Sequence, residues 1–174
     1  MISLLHNTLS RTDKHSCLHW LWFVLLWGCT AESPPPDWPA QLKNPDPAVR
    51  YAAVQQLGNQ GTEGKIWVPA LSQMLRDKDD AVRIGTTYAL ARLGPEGAAA
   101  VPALAAALRD RNKQVRMGAA YALPALGPAA QKALPSLEQA SRDYDPEVRS
   151  QAAKAIKQIQ IARQFQDSVR TPLK

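Results

Sequence analysis

The chain has 174 residues, 45% of them apolar, 21% charged and 6% aromatic, enough for one compact domain and little more. Against 15 Asp and Glu stand 21 Lys and Arg, a net of +6, and 19 against 14 of these follow Gly28 without forming a run. Such a spread argues only weakly for an anionic partner. All three histidines (His6, His15, His19) precede residue 20 and the cysteines are Cys17 and Cys29, so the stretch from Thr30 to Lys174 holds neither type. Cys- or His-based zinc sites, Cys–His and Ser–His–Asp nucleophiles, histidine acid–base catalysis and a disulfide are excluded from that stretch. The composition points away from an enzyme, and neither a cofactor nor a metal is expected.

In chain order, the first element is a leader. Trp20 to Gly28 is an uncharged run of nine residues, far short of the about 20 that a membrane-spanning helix needs. Its length suits the apolar centre of a secretory signal, with Arg11 and Lys14 as the basic end. Leu26-Trp27-Gly28-Cys29 resembles a bacterial lipobox in Leu26, Gly28 and Cys29 and departs from it at Trp27. That resemblance implies a signal peptide over 1–28, lipid on Cys29, and a Pro-rich tether over 29–37 built on Pro34-Pro35-Pro36. It also implies an envelope location, with the outer membrane favoured because Thr30 replaces the usual retention Asp. An uncleaved anchor or a different start codon would return the chain to the cytoplasm.

Beyond the tether the sequence repeats every 33 residues without an insertion. Val49-Arg50, Val82-Arg83, Val115-Arg116 and Val148-Arg149 share one phase, as do Leu57, Leu90, Leu123 and Ile156, and Gly61, Gly94 and Gly127. Val68-Pro69, Val101-Pro102 and Leu134-Pro135 follow, then Leu71, Leu104 and Leu137, then Arg76-Asp77, Arg109-Asp110 and Arg142-Asp143.

Each unit reads as two helices. Val49, Ala52, Ala53 and Leu57, and next door Val82, Gly85, Leu90 and Leu93, have the spacing of one buried helix face. Gly94-Pro95 and Gly127-Pro128 mark a helix stop. A second helix starts near Pro69, Pro102 or Pro135, where a missing N–H is harmless, and buries Leu71, Leu75, Leu104, Leu108 and Leu137. Pro124 should bend the end of its helix. A lone hairpin cannot cover its apolar face; a stack of them can. The expected organisation is a half-repeat over 38–45, repeats over 46–78, 79–111 and 112–144, and a final helix over 145–169. The truncated start caps one end, and the helix running through Ile156, Ile159, Ile161 and Phe165 caps the other.

These units resemble the HEAT repeat, in the short alanine-rich form called the phycobilin-lyase HEAT-like repeat. The resemblance covers Trp38 to Ile161 and implies an all-α, right-handed α-α superhelix of about four two-helix units within a repeat domain over 38–170. It also implies that Asp77, Arg83, Asp110, Arg116, Asp143 and Arg149 form a structural ladder of charge-assisted hydrogen bonds between repeats, rather than an anion-binding strip. Asn44 departs from the Asp column.

Two surfaces are candidates for binding. Plotted at about 100° per residue, Tyr51, Ile84, Tyr88, Met117 and Tyr121 fall opposite the buried face of the first helices, with Gln55, Ser150 and Lys154 in the same columns. An outward apolar stripe suggests a partner site, unless lateral packing hides it. The second-helix surface, the usual binding face of the family, carries Ser72, Gln73, Ala105, Ala106, Glu138 and Gln139, rimmed by Arg76, Arg109 and Arg142.

The function expected from these readings is a non-catalytic protein–protein interaction scaffold, anchored to the membrane through lipid, whose partner is another protein. The alternative is an accessory or lyase-like subunit related to bilin lyases, acting on a chromophore-bearing protein. The iron hydroxylase of the family holds its metal with His–Glu pairs, which a chain without His after position 19 cannot supply. Acids interleaved with the bases (Asp79, Asp80, Asp145, Glu147) argue against nucleic acid as a partner.

Overall fold

Every first helix opens on a capped turn. Asp46 accepts from the Ala48 amide at 2.8 Å, Asp79 from Ala81 at 2.9 Å, and Asn112 from Gln114 at 2.8 Å, satisfying first-turn donors that have no partner within a helix. A computed structural model describes residues 36–170 of the chain. The expected signal peptide, Cys29 and the expected tether up to residue 35 lie outside the described residues. Within them all regular structure is helical: α1 (Trp38–Leu42), α2 (Pro47–Gly58), α3 (Val68–Met74), α4 (Asp80–Leu93), α5 (Val101–Ala107), α6 (Lys113–Ala125), α7 (Leu134–Ala140) and α8 (Pro146–Arg170).

The connection inside each unit is richer than a helix stop. Gly61, Gly94 and Gly127 take φ of 57°, 57° and 72°, a region that glycine enters without a Cβ clash. Each then opens a 3-10 helical segment, Gly61–Trp67, Gly94–Ala100 and Gly127–Ala133, that runs straight into the second helix. These segments join the core through Gly64, Gly97, Ala100, Ala130 and Ala133, all buried. A Cβ on Gly64 would lie 2.4 Å from the Leu93 side chain of the next unit. Pro124 stands inside α6, which closes one residue sooner than α4 does in the same register.

First helices α2, α4, α6 and α8 pack side by side, and each second helix lies against the first helix that follows it. Leu57, Leu71, Leu90, Leu104, Leu123 and Leu137 are fully buried along the shared seam, each worth about 1.5–3 kcal/mol of transfer free energy. The result is a solenoid of hairpins with one continuous core.

Three expected positions, one in the core and two in the C-terminal cap, are corrected. Ala52 is exposed, although its equivalents Gly85 and Gly118 are buried against Tyr51 and Thr87 of the preceding unit. That column faces backwards along the stack, and among the described residues only the five-residue α1 precedes α2. Ile161 and Phe165 are 54% and 70% exposed; they lie past Ile159, the last α8 side chain that the body buries, and cap nothing.

Candidate interaction surfaces

The loops between units are clamped by arginines from the first helices. Arg83 donates Nε to Asp110 Oδ2 at 2.9 Å and Nη2 to Asp110 Oδ1 at 3.0 Å, while its Nη1 donates to the Asp77 carbonyl at 2.8 Å. Arg116 does the same to Asp143 at 2.8 and 3.1 Å and to the Asp110 carbonyl at 2.9 Å. Arg50 holds Asp77 at 2.7 Å through both Nε and Nη2 and the Asn44 carbonyl at 2.8 Å. Each guanidinium thus ties the loop before its own helix to the loop after its unit. The carboxylate in turn accepts the amide two residues on, at 2.9 Å for Asp79 on Asp77, which shapes the turn leading to the next cap.

The pairing is therefore across 27 residues and not across the shorter six-residue step from Asp77 to Arg83. Arg50, which the departure at Asn44 leaves out of the expected ladder, is a full member of it. Arg149 is exposed and holds only the Asp143 and Tyr144 carbonyls, at 2.8 and 3.1 Å. Arg50, Arg83 and Arg116 are 3–4% exposed and bidentate, a geometry that gives charge-assisted bonds their strength. The Asp77 hydrogen bond and charge raise the Arg50 pKa above its ordinary value against the opposing effect of burial. Burial opposes ionisation of Asp77, but bonds from Arg50 and the Asp79 amide outweigh it and hold the carboxyl below the usual range. These arginines are spent on the fold and offer nothing to an anion.

A different set of cations is open. Successive second helices meet sparsely, leaving two grooves between them. The groove between α3 and α5 has a volume of about 540 Å³, with Ser72, Ala103, Ala106 and Ala107 on its floor and Arg76, Lys78, Arg109 and Arg111 around it. The next, of about 360 Å³, runs from Arg109 and Arg111 to Ser136, Gln139 and Tyr144. Arg76, Arg109 and Arg142 are exposed at equivalent points of consecutive helices. Arg109 touches Gln139 and Arg111 reaches Asp80 at 3.1 Å. The groove carboxylates Asp77, Asp110 and Asp143 are already paired, so the uncompensated charge there is positive. Tyr144, 79% exposed, lies with its ring 4.6 Å from the Arg116 guanidinium and forms one end of the floor. No sequence signal marks it, because its column holds Pro45, Lys78 and Arg111 elsewhere.

The tyrosine stripe lies on the other side. Tyr51, Tyr88 and Tyr121 are 40%, 40% and 55% exposed, and Ile84 and Met117 are half-buried. Much of this apolar surface fills the clefts between first helices: Tyr51 lies over Gly85, where a Cβ would sit 2.6 Å from its ring, and the Tyr88 and Tyr121 rings are 5.9 Å apart at 52°. Their edges stay in solvent. Among the described residues no group of three or more His, Cys, Asp or Glu is arranged to hold a metal ion.

Stacked two-helix units with an internal arginine ladder define a helical-repeat solenoid. The model for HEAT repeats matches residues 36–124 and 101–170, and the chain belongs to that family. Among curated proteins none matches. Solved structures share the fold: an engineered protein at 23% identity (TM-score 0.58, 72% of this chain and 62% of that one) and human deoxyhypusine hydroxylase at 31% identity (TM-score 0.59, 73% and 46%). The complex of CpcE and CpcF of phycocyanin lyase from Nostoc is similar at 23% identity (TM-score 0.51, 74% and 67%). The chain thus spans less than two thirds of the engineered protein and under half of the hydroxylase.

Proposed function

We propose that this protein is a non-catalytic scaffold that holds an acidic segment of another protein in its second-helix grooves, and that lipid on Cys29 tethers it to the membrane of a bacterial envelope. The observation that carries the binding half is the pair of small-residue grooves lined by the exposed cations Arg76, Lys78, Arg109 and Arg111. Alanine and serine floors let a partner backbone approach closely. A preformed array costs little ordering on binding, and a basic rim steers and orients an acidic partner. Catalysis has no support of the same kind, since no histidine or cysteine follows Cys29. Resemblance to the phycocyanin lyase complex extends to the fold alone and favours no second reading.

Two measurements test the two halves. Mass spectrometry of the mature N-terminus is expected to find acylated Cys29, and an intact Met1 would refute the tether. A double substitution of Arg76 and Arg109 by Glu is expected to release the partner captured from envelope membranes while the melting temperature holds. Capture that survives this change but is lost when Tyr88 and Tyr121 become Ser would move the site to the first-helix side.

A further inference from the structure

Three of the guanidinium forks along the stack are filled and one stands open. In Arg50, Arg83 and Arg116, Nη1 donates to a carbonyl of the loop before the helix, at 2.8, 2.8 and 2.9 Å. Their Nε and Nη2 grip a carboxylate 27 residues further on. Arg149 repeats the first half of that arrangement, with Nη1 on the Asp143 and Tyr144 carbonyls at 2.8 and 3.1 Å. Among the described residues no carboxylate meets its Nε and Nη2, and the side chain is exposed. A planar guanidinium takes a carboxylate edge-on in one orientation, and the loop carbonyls anchor Arg149 as they anchor its filled counterparts.

The flank of α8 beside this fork carries the same sign. Contacts inside the stack show which columns face the next unit: Tyr51 and Gln55 lie against Gly85, Thr87 against Gly118, and Gly58 against Ala89 and Arg92. In α8 those columns hold Ser150, Lys154, Ala153 and Lys157, all exposed. Lys154 stands where the other units have Gln55, Tyr88 and Tyr121, and Lys157 where they have Gly58, Ala91 and Pro124. Positive charge thus enters these columns only at the open end. A terminal unit needs a polar outer face of no particular sign; this one is wholly cationic. The acids around the start of α8 do not offset it, since Asp143 is taken by Arg116, and Asp145 and Glu147 by Lys113.

We propose that the open flank of α8 is a docking surface for an acidic helix of another protein, led by an Asp-x-Asp or Asp-x-Asn turn whose first carboxylate fills the Arg149 fork. Inside the stack that carboxylate accepts the amide two residues on, in Asp77, Asp110 and Asp143 alike, and the second residue of the turn caps the helix. The docked helix lies beside α8 as α8 lies beside α6. Its residues over Lys154 and Lys157 come 8, 12 and 15 places after the carboxylate, as Gly85, Ala89 and Arg92 follow Asp77, and acids there complement the two lysines. A glutamate has room at the first place, because Ser150 replaces the Tyr51 ring that a Cβ on Gly85 would meet at 2.6 Å. A second copy offers no such charge: its Asn44 makes the same turn with the Asp46 amide at 2.9 Å but is neutral, as are Ala52, Gln56 and Asn59 in the columns behind it. Arg149, Lys154 and Lys157 line neither second-helix groove.

A peptide copied from the stack itself serves as the probe: fluorescein-labelled Asp77–Leu93 carrying Gly85→Glu, Ala89→Glu and Arg92→Glu, titrated with the full chain and read by anisotropy. It should bind about tenfold more tightly than a scrambled peptide of the same composition. Arg149→Gln in the chain should weaken binding about tenfold, and Asp77→Asn in the peptide by the same factor. Both changes together should lose no more than either alone, because they remove one and the same bond. Lys154→Gln with Lys157→Gln should weaken binding about threefold and flatten its salt dependence. Undiminished binding to the Arg149→Gln chain would overturn the proposal, as would losses that add in the double change. So would binding abolished by Arg76→Glu with Arg109→Glu, which would seat the peptide in the second-helix grooves. Mass that rises with concentration in the chain alone, and rises further in Asn44→Asp, would give the fork to a second copy and overturn it too. Groove capture does not use Arg149, so the two readings fail separately.

Discussion

Arg83 and Arg116 on the one hand and Arg149 on the other occupy the same column of the repeat, yet they live in different environments. The first two are 4% and 3% exposed, bidentate to the Asp that ends their own unit, and bonded to a carbonyl of the loop before it. Arg149, in solvent, keeps the two carbonyls and among the described residues has no carboxylate partner. The same split separates buried Gly85 and Gly118 from exposed Ala52, and buried Ile159 from exposed Phe165. In a stack where each unit touches only its neighbours, a column has no fixed energetic meaning; its worth is set by whether the adjacent unit is present.

Removing the clamp should break that symmetry most visibly. Arg116→Ala leaves the Asp143 carboxylate and two loop carbonyls without their donor, and loss of one partner of a buried pair costs about 3–5 kcal/mol. Arg149→Ala removes only exposed bonds to neutral carbonyls and should cost about 1 kcal/mol. Urea unfolding of both variants measures the gap, and equal losses would erase the distinction between interior and terminal units.

Adding one methyl group probes the same contrast on the packing side. A Cβ on Gly118 would lie 2.1 Å from Thr87 Oγ1 and 3.0 Å from Thr87 Cβ, so Gly118→Ala should cost about 1–3 kcal/mol through overpacking. Thr87→Ala, which removes the Oγ1 that the added Cβ would meet, should recover part of it. Ala52→Ser, at the same column but exposed, should stay within about 0.5 kcal/mol. Thermal melting of the three variants sharpens the comparison, because only the environment of the column differs.

The period of 33 made the fold readable because each unit restates the same apolar seam and the same Gly and Pro punctuation. What helical periodicity cannot encode is whether a neighbour exists, which is why Ala52 and Phe165 read as core and are not. The ladder members were visible as columns, but their side-chain pairing was not: a six-residue step along the chain looks nearer than one of 27, and only the hairpin turn brings Arg50 to Asp77. The arginine rim was legible, whereas the grooves behind it depend on how far second helices stand apart. Tyr144 breaks its column and gave no signal at all.

A smaller effect tests the comparison through protons. Asp80 accepts from Asn112 at 2.7 Å, Arg83 at 2.7 Å and Arg111 at 3.1 Å, so it joins two consecutive loops inside the stack. Those hydrogen bonds, that of Asn112 first, lower its pKa to about 2. A carboxyl held below its unfolded value near ~3.9 contributes stability that is complete above that pH and is lost as pH falls through the folded value. Between roughly pH 4 and pH 2, the melting temperature of the wild type should therefore fall more steeply than that of Asp80→Asn, while above pH 5 the two curves should run parallel. Asp37, which caps only the terminal α1, provides the matched substitution outside the stack. If Asp37→Asn flattens the acid limb as much as Asp80→Asn does, the loop between units has no special share in acid stability, and the interior–terminal contrast does not extend to charge.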